Sequence, residues 1–107
     1  MKKITTMQEV NNILANNTKN ELVVFKVGGQ WCGPCRMLEK TISEIEPTLD
    51  KVKFYEIDVD EVDESFIETY QIQNVPVLLF FNEGLQVERE VGNIPKSKIM
   101  ELINNNL

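Results

Sequence analysis

Leu22-Val23-Val24-Phe25 is apolar at every position, and so is Val77-Leu78-Leu79-Phe80-Phe81, which follows Pro76. A strand with one wet face alternates apolar and polar residues; a strand buried on both faces does not. Both runs are short and rich in β-branched or aromatic residues; the first reads as a buried central strand needing cover above and below, and the second as a further strand. The cover is also written in the chain. Apolar residues recur at helical spacing at Val10, Ile13 and Leu14, at Met37, Leu38, Ile42, Ile45 and Leu49, and at Ile99, Leu102 and Ile103.

The remaining elements fit between these. A short strand at 3–5 leads to Thr6, with Glu9 three residues later as a capping box, and the helix fades at Asn16-Asn17. Gly28-Gly29 ends the first apolar strand. Residues 52–59 alternate as a strand, with Phe54, Glu56 and Asp58 on one side and Tyr55, Ile57 and Val59 on the other. Residues 61–71 read as an acidic helix burying Val62, Phe66, Ile67 and Tyr70. The strand of residues 76–81 turns at Asn82-Glu83-Gly84 and returns as an edge strand, 85–91, protected by Glu88, Arg89 and Glu90. Pro95 opens the last helix. The order is βαβαβαββα, an α/β chain with parallel βαβ units followed by an antiparallel hairpin.

No linker, repeat or low-complexity tract divides the chain, so residues 1–107 read as a single domain with room for a real core. A net charge of −6 argues against nucleic acid or an anionic membrane as partner. No stretch approaches the ~20 apolar residues of a membrane span. The N-terminal Met1-Lys2-Lys3 has no apolar run behind it and does not read as a secretory signal. The expected location is the cytoplasm, where structural disulfides are rare.

Both cysteines of the chain fall within Trp31-Cys32-Gly33-Pro34-Cys35. Pro34 suits the first turn of a helix, where its missing N–H has no partner to lose. Cys32 then lies at the helix N-terminus, where free N–H groups and the dipole favour a thiolate, the nucleophilic form. Cys35 is one turn deeper, placed to resolve what Cys32 begins. A structural disulfide here would close a four-residue loop worth only about 2 kcal/mol. A zinc site needs about four ligands, and the chain has no histidine and no third cysteine. An intermolecular half-site, a metal bridge between two copies and a vestigial motif stay open beside the reading this spacing favours, dithiol–disulfide exchange.

Over essentially its whole length the chain resembles the thioredoxin family, whose active-site sequence Trp31-Cys32-Gly33-Pro34-Cys35 matches residue for residue. Val75-Pro76 is similar to the segment that holds the family's cis-proline, and Gly92 to a glycine of the surface around the site. The resemblance implies the thioredoxin fold, a central mixed five-stranded sheet flanked by four helices. It also implies a cis bond at Pro76, although cis is only ~5% of X–Pro bonds. Val75 would then offer its backbone to an extended substrate, and Gly92 would leave room for it.

The chain departs from the family at four places. Lys26 stands six residues before Cys32, where the family usually has a buried aspartate, and Glu56 stands where it often has a lysine on the adjacent strand. The pair reads as charge-swapped, although Lys26 reaching water and Glu56 lying solvated is the plainer alternative. Gly28 replaces an aromatic residue, so one wall of the site is expected to be missing or flexible. Lys40 replaces a helix-kinking proline, and a straighter helix is expected.

The resemblance implies a cytoplasmic protein-disulfide reductase serving electron transport and redox homeostasis. Cys32 would attack a substrate disulfide and Cys35 would resolve the mixed disulfide. Glu56 is the expected aid to Cys35 deprotonation, with Lys26 holding it or favouring thiolate; Trp31 and Val75 give an apolar contact surface. No cofactor or metal is implied. Electrons would come from an NADPH-dependent flavin reductase, the partners would be disulfide-bearing proteins, and the chain would act as a monomer. Two other classes stay open: an oxidase or isomerase on the same fold, distinguished by redox potential, and a binding subunit whose cysteines are dispensable, distinguished by replacing both with serine.

Overall fold

The computed structural model describes residues 1–107. Its elements are β1 (Lys2–Lys3), α1 (Met7–Ala15), β2 (Leu22–Gly28), α2 (Gly33–Ile45) with a 3₁₀ turn over Glu46–Thr48, β3 (Val52–Asp58), α3 (Glu64–Thr69), β4 (Val77–Asn82), β5 (Leu85–Val91) and α4 (Lys96–Asn106). The sheet order is β1-β3-β2-β4-β5. β1, β3 and β2 run parallel, while β4 is antiparallel to both β2 and β5. This is the expected five-stranded mixed sheet with four helices.

β2 is central, which is why its sequence does not alternate. Leu22 and Val24 pack with Leu38, Ile42 and Ile45 of α2 and with Ile99 and Ile103 of α4. Val23, Phe25 and Val27 face the other way, toward Val10 of α1 and Phe66 of α3. The same alternation carries Lys26 and Gly28 to the α2 side. Glu56, in register beside Lys26, and Asp58, beside Gly28, face that side too.

Several boundaries differ from the sequence reading. β1 pairs only through Lys2 and Lys3 rather than over 3–5. Ile4 still donates to the Glu56 carbonyl, but the Thr5 carbonyl is taken by the Asp63 N–H and Thr6 caps α1. α3 is shorter than 61–71: Glu61 and Val62 N–H groups turn back to the Asp58 carbonyl, and Gln71 leaves the helix at φ 52°. β4 begins after Pro76, which has no N–H to give a ladder. Pro95 is the N-cap of α4 rather than its first residue.

The local signals otherwise act as expected. The Thr6–Glu9 capping box is formed in both directions. The β4–β5 turn is the pair Glu83-Gly84, both at positive φ (53° and 77°), with Asn82 still in β4. Gly84 is required there, because a Cβ would meet the Leu14 carbonyl oxygen at 2.9 Å. α2 continues without interruption through Lys40.

Candidate active site

The site is built where β2 ends and α2 begins. Cys32 is the N-cap of α2, and the backbone N–H of Cys35 donates to its sulfur at 3.1 Å. Gly33 and Pro34 form the first turn, with Pro34 where its missing N–H costs nothing. The two cysteines are joined as a disulfide, their Cα atoms 5.2 Å apart. Both are buried, Cys35 (1% exposed) more deeply than Cys32 (5%). No group of three or more potential metal ligands is brought together anywhere.

Trp31 lies across the mouth of the site and is 66% exposed. Its indole N–H donates to Asp60 Oδ2 at 2.9 Å, which fixes the ring. The ring rests on Gly29, whose Cβ, if present, would stand 2.9 Å from the indole. Beside Trp31 a groove of about 390 Å³ is lined by Val59, Ile67, Ile72 and Val75. The Val75–Pro76 bond is cis, as expected. The Gly92 N–H donates to the Pro76 carbonyl at 2.7 Å, bringing the β5 end against that segment. Trp31 and Val75 therefore share this groove, and the buried Pro76 ties Gly92 to the same segment.

Lys26 is 3% exposed and lies beneath α2. Its Nζ is 3.4 Å from Glu56 Oε1 and 3.7 Å from Glu39 Oε2. The expected Lys26–Glu56 pair is thus formed, and a second carboxylate joins it. Glu39 was missed in the sequence, although its i+4 spacing from Cys35 puts both on one helix face. Asp60, too, gave no signal beyond its place just past β3.

Gly28 decides what Lys26 faces. A Cβ at Gly28 would be 3.0 Å from Cys35 Sγ and 3.7 Å from Lys26 Cε. The lysine and the sulfur of Cys35 thus converge over the bare face of Gly28. A polar cavity of about 400 Å³ opens there, lined by Lys26, Gly28, Cys35, Glu39, Glu56 and Asp58 among others. The missing wall expected at Gly28 is real, and close packing against Cys35 accounts for it without flexibility.

The comparisons with known proteins agree with this geometry. The thioredoxin family model matches residues 2–105. The chain is 34% identical to a thioredoxin of Mycoplasmoides gallisepticum over 103 residues, covering 96% of this chain and 99% of that one. It is 36% identical to a thioredoxin of Bacillus subtilis over 91 residues, covering 84% and 86%. Among solved structures, a Fasciola hepatica thioredoxin superposes with a TM-score of 0.90 at 27% identity, each chain covered completely.

Proposed function

We propose a division of labour within this chain, which belongs to the thioredoxin family and reduces disulfides in partner proteins by dithiol–disulfide exchange. Cys32 is the attacking thiolate. The observation that carries this is its position as N-cap of α2, where its sulfur already accepts the Cys35 N–H and stands at the positive end of the helix dipole. Attack on a substrate disulfide joins Cys32 to the substrate and releases one substrate thiol. Cys35, lying deeper, then attacks Cys32 Sγ, expels the second substrate thiol and restores the Cys32–Cys35 disulfide.

The other residues serve these steps. Gly33 and Pro34 form the turn that sets the two cysteines one helical turn apart in the chain, with their sulfurs within bonding reach. Trp31 and Val75 give the substrate an apolar surface, the backbone of Val75 before Pro76 pairs with an extended substrate segment, and Gly92 leaves room for it. Lys26 supplies a fixed positive charge beneath the sulfurs, and Glu56 both holds Lys26 and receives the proton of Cys35. The proximity of Lys26 and Glu56 supports this assignment.

The family acts on disulfide substrates and is reduced by thioredoxin reductase. For this chain the electron source is an NADPH-dependent flavin enzyme, with no bound cofactor. The protein works as a monomer and a single domain, residues 1–107, in the cytoplasm, as part of electron transport and redox homeostasis. No helix is long and apolar enough to cross a membrane. The test of the roles is brief alkylation of the reduced protein with iodoacetamide at neutral pH, read by mass spectrometry. Cys32 is modified first; preferential labelling of Cys35 would reverse the assignment.

A further inference from the structure

The end of α3 runs directly into the segment that lines the groove beside Trp31. Tyr70 is the C-cap of α3, and Ile67, Ile72 and Val75 line the groove. The chain leaves the helix in a Schellman motif. The Ile72 N–H donates to the Ile67 carbonyl at 3.0 Å, and the Gln71 N–H to the Glu68 carbonyl at 3.3 Å. Such a turn needs one left-handed residue, and glycine usually takes that place. Here the residue is Gln71, at φ 52°, whose Cβ is crowded by the following carbonyl. The motif characteristically brings together the apolar side chains that flank it, here Ile67 and Ile72, and both are groove walls. The groove is therefore only as well placed as this turn.

Two anchors hold the turn. From the core, the Tyr70 ring stands edge-on to Phe81, with centroids 5.8 Å apart. From β5, Arg89 reaches across: Nη1 donates to the Tyr70 carbonyl at 2.6 Å and Nη2 to the Gln71 carbonyl at 2.9 Å. A helix end leaves its last carbonyls without partners, and a cation there also suits the helix dipole. The planar guanidinium fork fits two successive carbonyls in a way the compact ammonium of lysine does not. Gln73 lines both the groove and the polar hollow around Arg89, so one side chain separates the two. We propose that Arg89 is a positioning residue for protein substrates, fixing the turn after α3 so that Ile72 and Val75 stand ready for docking. The inference rests on the reading of the groove beside Trp31 as the surface that protein substrates meet. The sulfurs belong to α2, a different element, so the turn controls docking and leaves the exchange chemistry alone. A disulfide too small to fill the groove is then indifferent to Arg89.

The test mixes the reduced protein with insulin or with hydroxyethyl disulfide and follows the loss of protein thiols by quenched alkylation and mass spectrometry. The readout is the rate constant for insulin divided by that for the small disulfide. The expected result is a ratio lowered about fivefold in Arg89→Ala, with the small-disulfide rate unchanged. Arg89→Lys keeps the charge without the fork and falls between the two. Adding Gln71→Gly to Arg89→Ala recovers part of the loss, because glycine takes the left-handed turn with no Cβ to crowd. Ile72→Ala, a change in the groove itself, lowers the ratio with Arg89 in place. A normal ratio in Arg89→Ala while Ile72→Ala lowers it would overturn the proposal and leave the groove reading standing. An unmoved ratio in Ile72→Ala would overturn the groove reading and the proposal with it. Equal loss of both rates in Arg89→Ala would trace the effect to the fold or the cysteines. Full activity in Arg89→Lys would trace it to charge, and no recovery with Gln71→Gly would place it outside the turn. Each of these three would also overturn the proposal.

Discussion

At the scale of single residues, the buried Lys26 is the unusual choice. An ammonium at 3% exposure is tolerable only because two carboxylates reach it. Those carboxylates are far less buried: the side chain of Glu56 is 28% exposed and that of Glu39 is 47% exposed. The costs of mutation are therefore asymmetric. Glu56→Gln alone leaves Glu39 in place and should cost about 1 kcal/mol. Glu39→Gln with Glu56→Gln strands the lysine and should cost about 3 kcal/mol or more. Lys26→Met combined with that pair should recover much of the loss. Denaturant unfolding of the set measures the coupling, and strict additivity would mean that no such cluster operates. The residue pairing was legible in the sequence through the two swapped charges. Glu39 was not, since a glutamate on an amphipathic helix is ordinarily a solvated one. Trp31 gives a second residue-scale expectation. Because its ring is fixed by Asp60 beside Cys32, its fluorescence should change when the disulfide is reduced; identical spectra for the two forms would contradict that placement.

At the scale of elements, caps and turns carry the local specification. Glu9 is held below its ordinary value of 4.5, first by the Thr5 N–H and then by the Thr6 hydroxyl. A carboxylate lowered in the folded state contributes stability above its unfolded value and loses it as pH falls through the folded one. The difference in melting temperature between wild type and Glu9→Gln should thus be full near neutrality and shrink below about pH 4.5. A difference independent of pH would show that the carboxylate charge has no part in the cap. Arg89 gives the corresponding expectation at the end of α3, where it donates to the Tyr70 and Gln71 carbonyls at 2.6 and 2.9 Å. Arg89→Ala should cost about 1 kcal/mol in denaturant unfolding, and an unchanged midpoint would contradict the tie. Read as edge protection in the sequence, Arg89 is also a brace between β5 and α3. Element identities were legible from periodicity, but the short ends of β1 and α3 were not. β1 ends where the Thr5 carbonyl accepts from the distant Asp63 N–H, and α3 is trimmed by the turn of Glu61 and Val62 back to the Asp58 carbonyl and by Gln71 at positive φ, which apolar periodicity does not announce.

At the scale of the whole molecule, the fold brings three things to one end of the sheet: the N-terminus of α2 with its two sulfurs, the Val75–Pro76 segment, and the polar cavity under Cys35. The cysteine spacing made the first readable from its own residues, whereas the second was legible only through the family resemblance, since a proline before an apolar run reads by itself as a trans residue opening a strand. The cavity was only half readable. Gly28 announced a missing wall, but its depth depends on the packing of α2 against β2 and β3. The central claim is that disulfide exchange runs through Cys32 first and Cys35 second, and trapping tests it most directly. With Cys35→Ser, the account predicts that a protein disulfide such as insulin accumulates a stable mixed disulfide on Cys32, detected by non-reducing electrophoresis and mass spectrometry. With Cys32→Ser, it predicts none on Cys35 with the same protein substrate. A mixed disulfide that forms on Cys35 instead, or one that Cys35→Ser resolves as fast as the wild type, would contradict the account.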